Sequence, residues 1–181
     1  MIYVTEGGSP VEEICRETGA SIAVYNHEGM TVISGSTAEI TLFQREAASG
    51  RLRREGRKLP ISGAFHSRHM EEAKNEFIKE LDATNFATPL RPVVMNVNGK
   101  PETDPGRIQE NLASNFTSPV RWMQSVQFMR QEGVRGFYIF SPTDFMNKII
   151  TKIDKDAPVH SVTNLASAQA ETFEEVYARA A

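Results

Sequence analysis

The stretch SPVEEICRETGASIAVYNHEGMTVISG (residues 9–35) decides how the first third of this chain folds. Ser9 offers a cap, Pro10 suits the first helical position, and Glu12 places a carboxylate three residues after the cap. Val11, Ile14, Cys15 and Thr18 then share one helical face, and Gly19 supplies a left-handed stop. Ser21–Tyr25 and Thr31–Ser34 are β-rich runs joined by Asn26-His27-Glu28-Gly29, which reads as a hairpin.

Working outward, Ile2–Thr5 is a short apolar run ahead of the first helix. Thr37 to about Arg54 repeats the helical pattern with Ile40, Phe43 and Ala47 inward, and Lys58–Ser62 reads as a strand. The order βαββαβ over residues 1–63 predicts a ferredoxin-like small subdomain. Residues 64–166 alternate differently: a helix over Ser67–Leu81, a strand at Val93–Val97, and helices over Gly106–Asn115 and Pro119–Gln131. A strand at Gly136–Phe140, a helix over Phe145–Ile153 and a strand at Pro158–Val162 follow. Strands this apolar are usual in a parallel α/β sheet covered on both faces, and three are few for such a sheet. The tail, residues 167–181, reads as a terminal surface helix.

Composition narrows the function classes. A chain of 181 residues with 40% apolar and 24% charged residues resembles an ordinary globular protein. Its net charge of −3 argues against a general attraction to nucleic acid or an anionic membrane. No run approaches the roughly 18 apolar residues of a membrane span, and the start lacks the pattern of a secretory signal. One cysteine, Cys15, suits a reducing compartment, so a cytoplasmic location is expected. No glycine-rich phosphate loop and no cluster with metal-ligand spacing is present, which leaves nucleotide and metal chemistry without a motif.

Few residues could carry chemistry. His66, in Gly63-Ala64-Phe65-His66-Ser67, falls at a strand-to-helix corner where a side chain can face a cleft. It can serve there as a base or as a cap. His69, one turn on, reads as solvent-facing, His27 as part of the hairpin loop, and His160 as part of a short strand. A histidine base needs a nucleophile, and the G-x-S-x-G elbow that exposes one is absent from the sequence. Cys15 reads as a small buried hydrophobe. Arg51, Arg53, Arg54, Arg57 and Lys58 place five cations in eight residues. They either solvate a helix end or form a docking patch for an acidic or phosphate-bearing partner.

Three segments together resemble one family. AVYNHEGMTVISG (residues 23–35), LPISGAFHSRHM (59–70) and NFTSPVRWMQSVQFMRQEGVRGFYIFSP (115–142) are similar to the second half of malonyl-CoA:acyl-carrier-protein transacylases and of polyketide synthase acyltransferase domains. The similarity runs from near residue 1 to about residue 154. It implies a partial α/β-hydrolase-like parallel-sheet subdomain combined with the ferredoxin-like unit. It also implies an activity of the fatty acid or polyketide pathways, in which malonyl passes from malonyl-CoA, through an acyl-serine, to the phosphopantetheine thiol of an acyl carrier protein. His66 matches the family's general base, and Asn115 falls where a backbone carbonyl holds the imidazole. Phe65 matches the residue that narrows the acyl pocket, and Asn26 a cleft-facing asparagine. The arginine run around Arg51–Lys58 becomes a candidate carrier-protein docking surface.

The same resemblance implies no bound cofactor, with malonyl-CoA as substrate. The elbow serine belongs to the family's first half, so the chain is expected to be the C-terminal portion of an acyltransferase, inactive alone. It would depend on a separate nucleophile-bearing half or self-associate. Where the family carries a G-P-G-K-like turn, this chain has Ser141-Pro142-Thr143-Asp144, an anion in place of a cation. That departure motivates the alternative of a non-catalytic accessory protein that binds a carrier.

Overall fold

The computed structural model describes residues 1–53 and 56–162. The chain is mixed α/β, built of helices and small sheets. It divides into two compact units, the first spanning Met1–Ser125 and the second beginning at Val126.

The first unit opens on strand β1 (Ile2–Val4), helix α1 (Ser9–Thr18), the hairpin β2 (Ser21–His27) and β3 (Met30–Ser34), helix α2 (Thr37–Glu46) and strand β4 (Arg57–Lys58). The four strands form one antiparallel sheet in the order β2-β3-β1-β4. Alternation in β1 buries Ile2 and Val4, while Thr31–Ser34 of the inner strand β3 are all buried. Against these strands α1 sets Val11, Ile14 and Cys15, and α2 sets Phe43, all within one hydrophobic core. The helix ends show how local chemistry fixes the frame. Gly19 (φ +75°) closes α1 in the left-handed region. Ser36 and Glu39 form a reciprocal capping box on α2, Ser36 N–H donating to Glu39 Oε2 (2.7 Å) and Glu39 N–H to Ser36 Oγ (3.2 Å).

The differences from the sequence pattern have physical causes. Gly8, not Ser9, is the N-cap of α1, and its carbonyl accepts from the amides of Val11 and Glu12. The helical run from Thr37 does not reach Arg54: it passes into a π-type turn at Ala47–Arg51, interrupted by Gly50 at φ +96°. Strand β4 stops at Lys58 because Pro60 has no N–H to continue the ladder, and Ile61 turns back onto the Leu59 carbonyl (2.8 Å).

The remainder of this unit comprises a 3₁₀ turn (Arg68–Met70), helix α3 (Glu71–Asp82), strands β5 (Val93–Val94) and β6 (Pro101–Glu102), and helix α4 (Pro105–Ser114). α3 packs along α4, with Gln109 Nε2 donating to Asp82 Oδ1 (3.0 Å) and the rings of Phe77 and Phe116 4.8 Å apart. Val93–Val94 does not join a parallel sheet. A turn closed by Met95 N–H to the Lys100 carbonyl (2.9 Å) folds it back, antiparallel, onto β6. Nor does Pro119 open the next helix. Val120 is extended and makes a parallel bridge to Val24, exchanging bonds of 2.8 and 2.9 Å with Ala23 and Tyr25. Helix α5 (Trp122–Gln131) begins only after this contact has satisfied the edge of β2.

In the second unit, strand β7 (Phe137–Phe140), helix α6 (Phe145–Ile153) and strand β8 (Val159–Val162) form a βαβ unit with the strands parallel. α6 buries Ile149 and Ile150, the rings of Tyr138 and His160 stack at 4.8 Å, and Arg130 Nε donates to Asp154 Oδ2 (2.6 Å). Among the described residues no helix is long and apolar enough to cross a membrane. The terminal helix expected over residues 167–181 lies outside the described residues.

Candidate active site

His66 sits on the turn between Pro60 and the Arg68–Met70 segment with φ +59°, the one non-glycine residue among those described with a positive φ. Its neighbour Ser67 is buried and locks the turn from both sides. Ser67 Oγ donates to the Ala64 carbonyl (2.6 Å) and accepts from the His69 amide (3.3 Å). Asn115, the C-cap of α4, places its main-chain oxygen 2.8 Å from His66 Nδ1. A carbonyl oxygen only accepts, so Nδ1 carries the proton in this contact. A neutral imidazole so held presents the lone pair of Nε2.

Two further residues hold the turn that the sequence pattern alone did not join to it. Arg68 Nη1 donates to the Gly19 carbonyl (2.8 Å), and its other terminal nitrogen pairs with Glu39 Oε1. His69 is exposed, and its Nε2 lies 2.7 Å from Glu39 Oε2. Burial pushes the Glu39 carboxyl up, but the Ser36 amide and the His69 and Arg68 side chains more than offset it and hold the group below its ordinary range. The capping-box spacing from Ser36 to Glu39 was a signal for the cap; nothing in the spacing linked it to residues 68 and 69.

Phe65 is 41% exposed, its ring folded over Gly63, where a Cβ atom would come within 2.9 Å of it. Asn26 is buried on β2 (6% exposed), beside the Val24–Val120 bridge and next to Tyr25, whose ring lies 5.6 Å from the Arg121 guanidinium. The basic run does not act as one group. Arg51 is engaged by Glu17 and lies 3.6 Å from Glu13 and 3.8 Å from Glu46. Arg53, Arg57 and Lys58 are exposed, with the Arg53 amide donating to Glu6 Oε2 (2.9 Å). Arg54 lies outside the described residues. No group of three or more metal-ligating side chains gathers among the described residues.

No protein-family model matches this sequence. The malonyl CoA-acyl carrier protein transacylase of Staphylococcus aureus (strain COL) is 29% identical over 160 residues, which cover 86% of this chain and 52% of that protein. An acyl carrier protein S-malonyltransferase from Vibrio cholerae, solved by crystallography, superposes with a TM-score of 0.83 at 26% identity over 93% of this chain. The chain is a relative of the malonyl-CoA:acyl-carrier-protein transacylases. It spans about half the length of these transacylases, 57% of the chain from Vibrio cholerae. The polyketide biosynthesis protein ThaF of Burkholderia thailandensis is 31% identical over 135 residues, 75% of this chain and 12% of that much longer protein. The transacylase resemblance thus covers the stretch that holds both His66 and Asn115.

Proposed function

We propose that this chain is the base-bearing portion of an acyltransferase that moves malonyl from malonyl-CoA to the phosphopantetheine thiol of an acyl carrier protein. The observation that carries the reading is the 2.8 Å contact between His66 Nδ1 and the Asn115 carbonyl, which leaves Nε2 free to move a proton. In the transfer, Nε2 takes the proton of a serine hydroxyl as the serine oxygen attacks the thioester carbonyl. It returns that proton to the departing coenzyme A sulfur. In the second half-reaction it takes the proton of the carrier thiol and returns it to the serine oxygen. No G-x-S-x-G elbow occurs in the 181 residues, so the serine is supplied from outside them.

Phe65 forms a wall of the acyl pocket and Asn26 lines the cleft. The exposed cations Arg53, Arg57 and Lys58 meet the acidic carrier. Residues 1–63 form the ferredoxin-like small subdomain, a reading supported by the strand order β2-β3-β1-β4. Residues 64–166 contribute to an α/β-hydrolase-like subdomain, supported by the parallel pair β7 and β8.

The test is reconstitution. The chain is mixed with the elbow-bearing part of a transacylase relative, and malonyl transfer to a carrier protein is followed by intact mass. Transfer that needs both parts and vanishes with His66→Asn is expected; transfer unaffected by His66→Asn would overturn the proposal. The Ser141–Asp144 turn favours a second reading, a carrier-binding accessory protein, because Asp144 Oδ1 accepts from Ser161 Oγ (3.2 Å) where the family carries a cation. Carrier binding without transfer in the same mixture selects that reading.

A further inference from the structure

We propose that Glu39 is a positioning residue for His66, a brace that holds the turn on which the imidazole is mounted. The inference rests on the reading of His66 as the base and adds a residue to it. A helix cap needs one acceptor from the residue at N3, and the Ser36 amide at 2.7 Å provides that bond. Glu39 receives two more donors, Arg68 and His69, from the two positions that follow Ser67, about 30 residues on in the sequence. Its side chain is only 12% exposed, and Arg68 and His69 reach it from the surface.

The space for that carboxylate is built in. A Cβ atom at Gly35 would stand 2.7 Å from Glu39 Oε2, and one at Gly19 would stand 3.6 Å from Oε1. Gly19 also gives its carbonyl to Arg68 Nη1 (2.8 Å). The end of α1 and the start of α2 therefore grip the turn immediately after His66. His66 itself holds a backbone conformation that side chains disfavour, and such a conformation persists only where its surroundings impose it. The Asn115 carbonyl fixes the ring and the Glu39 brace fixes the backbone beneath it. With the brace released, the backbone relaxes and the ring leaves the Asn115 carbonyl.

The tautomer of His66 reads this directly, because a free imidazole favours the proton on Nε2 whereas the Asn115 contact demands it on Nδ1. The chain, ¹⁵N-labelled at its histidines, is recorded by long-range proton–nitrogen correlation at about pH 8.5, above the ordinary histidine range. His66 is assigned by its absence in His66→Asn. Wild type is expected to show an Nδ1–H imidazole. Glu39→Gln, which keeps an acceptor for the cap, is expected to lose that signature in favour of Nε2–H. Ser36→Ala removes the cap hydroxyl and leaves the carboxylate, so it is expected to keep it. Arg68→Ala cuts one leg of the brace without touching the cap and is expected to weaken the signature even if Glu39→Gln folds poorly. An Nδ1–H signal that persists in both Glu39→Gln and Arg68→Ala would overturn the brace and leave the base reading intact. A wild-type His66 protonated at Nε2 would overturn the base reading, and the brace with it.

Discussion

His66 Nδ1 lies 2.8 Å from the main-chain oxygen of Asn115, a residue 49 positions further along the chain. The partner is thus backbone from the end of α4, and the identity of the side chain at 115 is secondary to where the helix stops. Asn115 N–H is itself held by the Asn111 carbonyl (3.0 Å), which fixes the carbonyl's direction by helix geometry.

Asn115→Ala is therefore expected to keep the His66 tautomer unchanged. The Oδ1 atom it removes is buried without a hydrogen-bond partner among the described residues, so the variant sheds an unsatisfied acceptor along with some packing. Urea unfolding should place it within about 1 kcal/mol of wild type. A loss of several times that size would show that the amide side chain holds the corner.

Substitutions at His66 should sort by backbone tolerance. Asn enters the left-handed region readily, whereas a β-branched side chain meets its own carbonyl there, at a cost of about 1–2 kcal/mol. His66→Asn is expected to unfold near the wild-type urea midpoint and His66→Val at a clearly lower one. Equal midpoints would mean that the positive φ is not imposed by the surroundings.

The small sheet was legible in the sequence because each signal there is local: the face of Val11, Ile14 and Cys15, the stop at Gly19, and the hairpin around Glu28-Gly29. Its ends were less so. Pro60 forbids a ladder bond, and Gly50 breaks a helix whose side-chain pattern continues. Val120 defeated the pattern outright, since Ser118-Pro119 reads as a helix start unless the open edge of β2 is known to be near. The site divides in the same way. His66 stood out by its corner and its resemblance, while the Glu39–Arg68–His69 cluster joins segments 30 residues apart through contacts that leave no periodicity.

Cys15 tests the small core chemically. The thiol is buried on α1, and burial, with the Glu12 carboxylate nearby adding to it, pushes its pKa up to about 12. A thiol in that state has almost no thiolate at neutral pH and should resist iodoacetamide in the native chain. Full labelling is expected in urea, followed by mass. Rapid labelling without denaturant would mean that α1 opens from the sheet.

Phe43 is fully buried among Ile2, Val11 and Ile33 in the same core. Phe43→Ala removes a whole ring from a site lined by strands that have little room to collapse, which costs about 3–5 kcal/mol. For a domain of ordinary stability that is about a fifth of the total or more. The expected outcome is a strongly lowered unfolding midpoint, and a near-wild-type midpoint would place the ring outside the core.

Acid should weaken the chain through carboxylates that the fold holds ionised. The side-chain bond from Arg51 holds Glu17 below its ordinary value of 4.5, and the bond from Arg130, with the Asp156 amide, holds Asp154 below 3.8. Each group releases its proton more readily when folded, so the unfolded chain binds more protons in the acid range. The stability they supply is complete above those ordinary values and is lost as pH falls through the lower, folded ones. The thermal midpoint should therefore drop on acidification below about pH 4.5, the ordinary glutamate range. Arg51→Ala removes the main cause at Glu17 and should flatten that dependence while lowering the midpoint at neutral pH. If the variant instead kept the full acid slope, the slope would have to arise from other carboxylates, such as Glu39, whose depression comes from the cap and the brace rather than from Arg51.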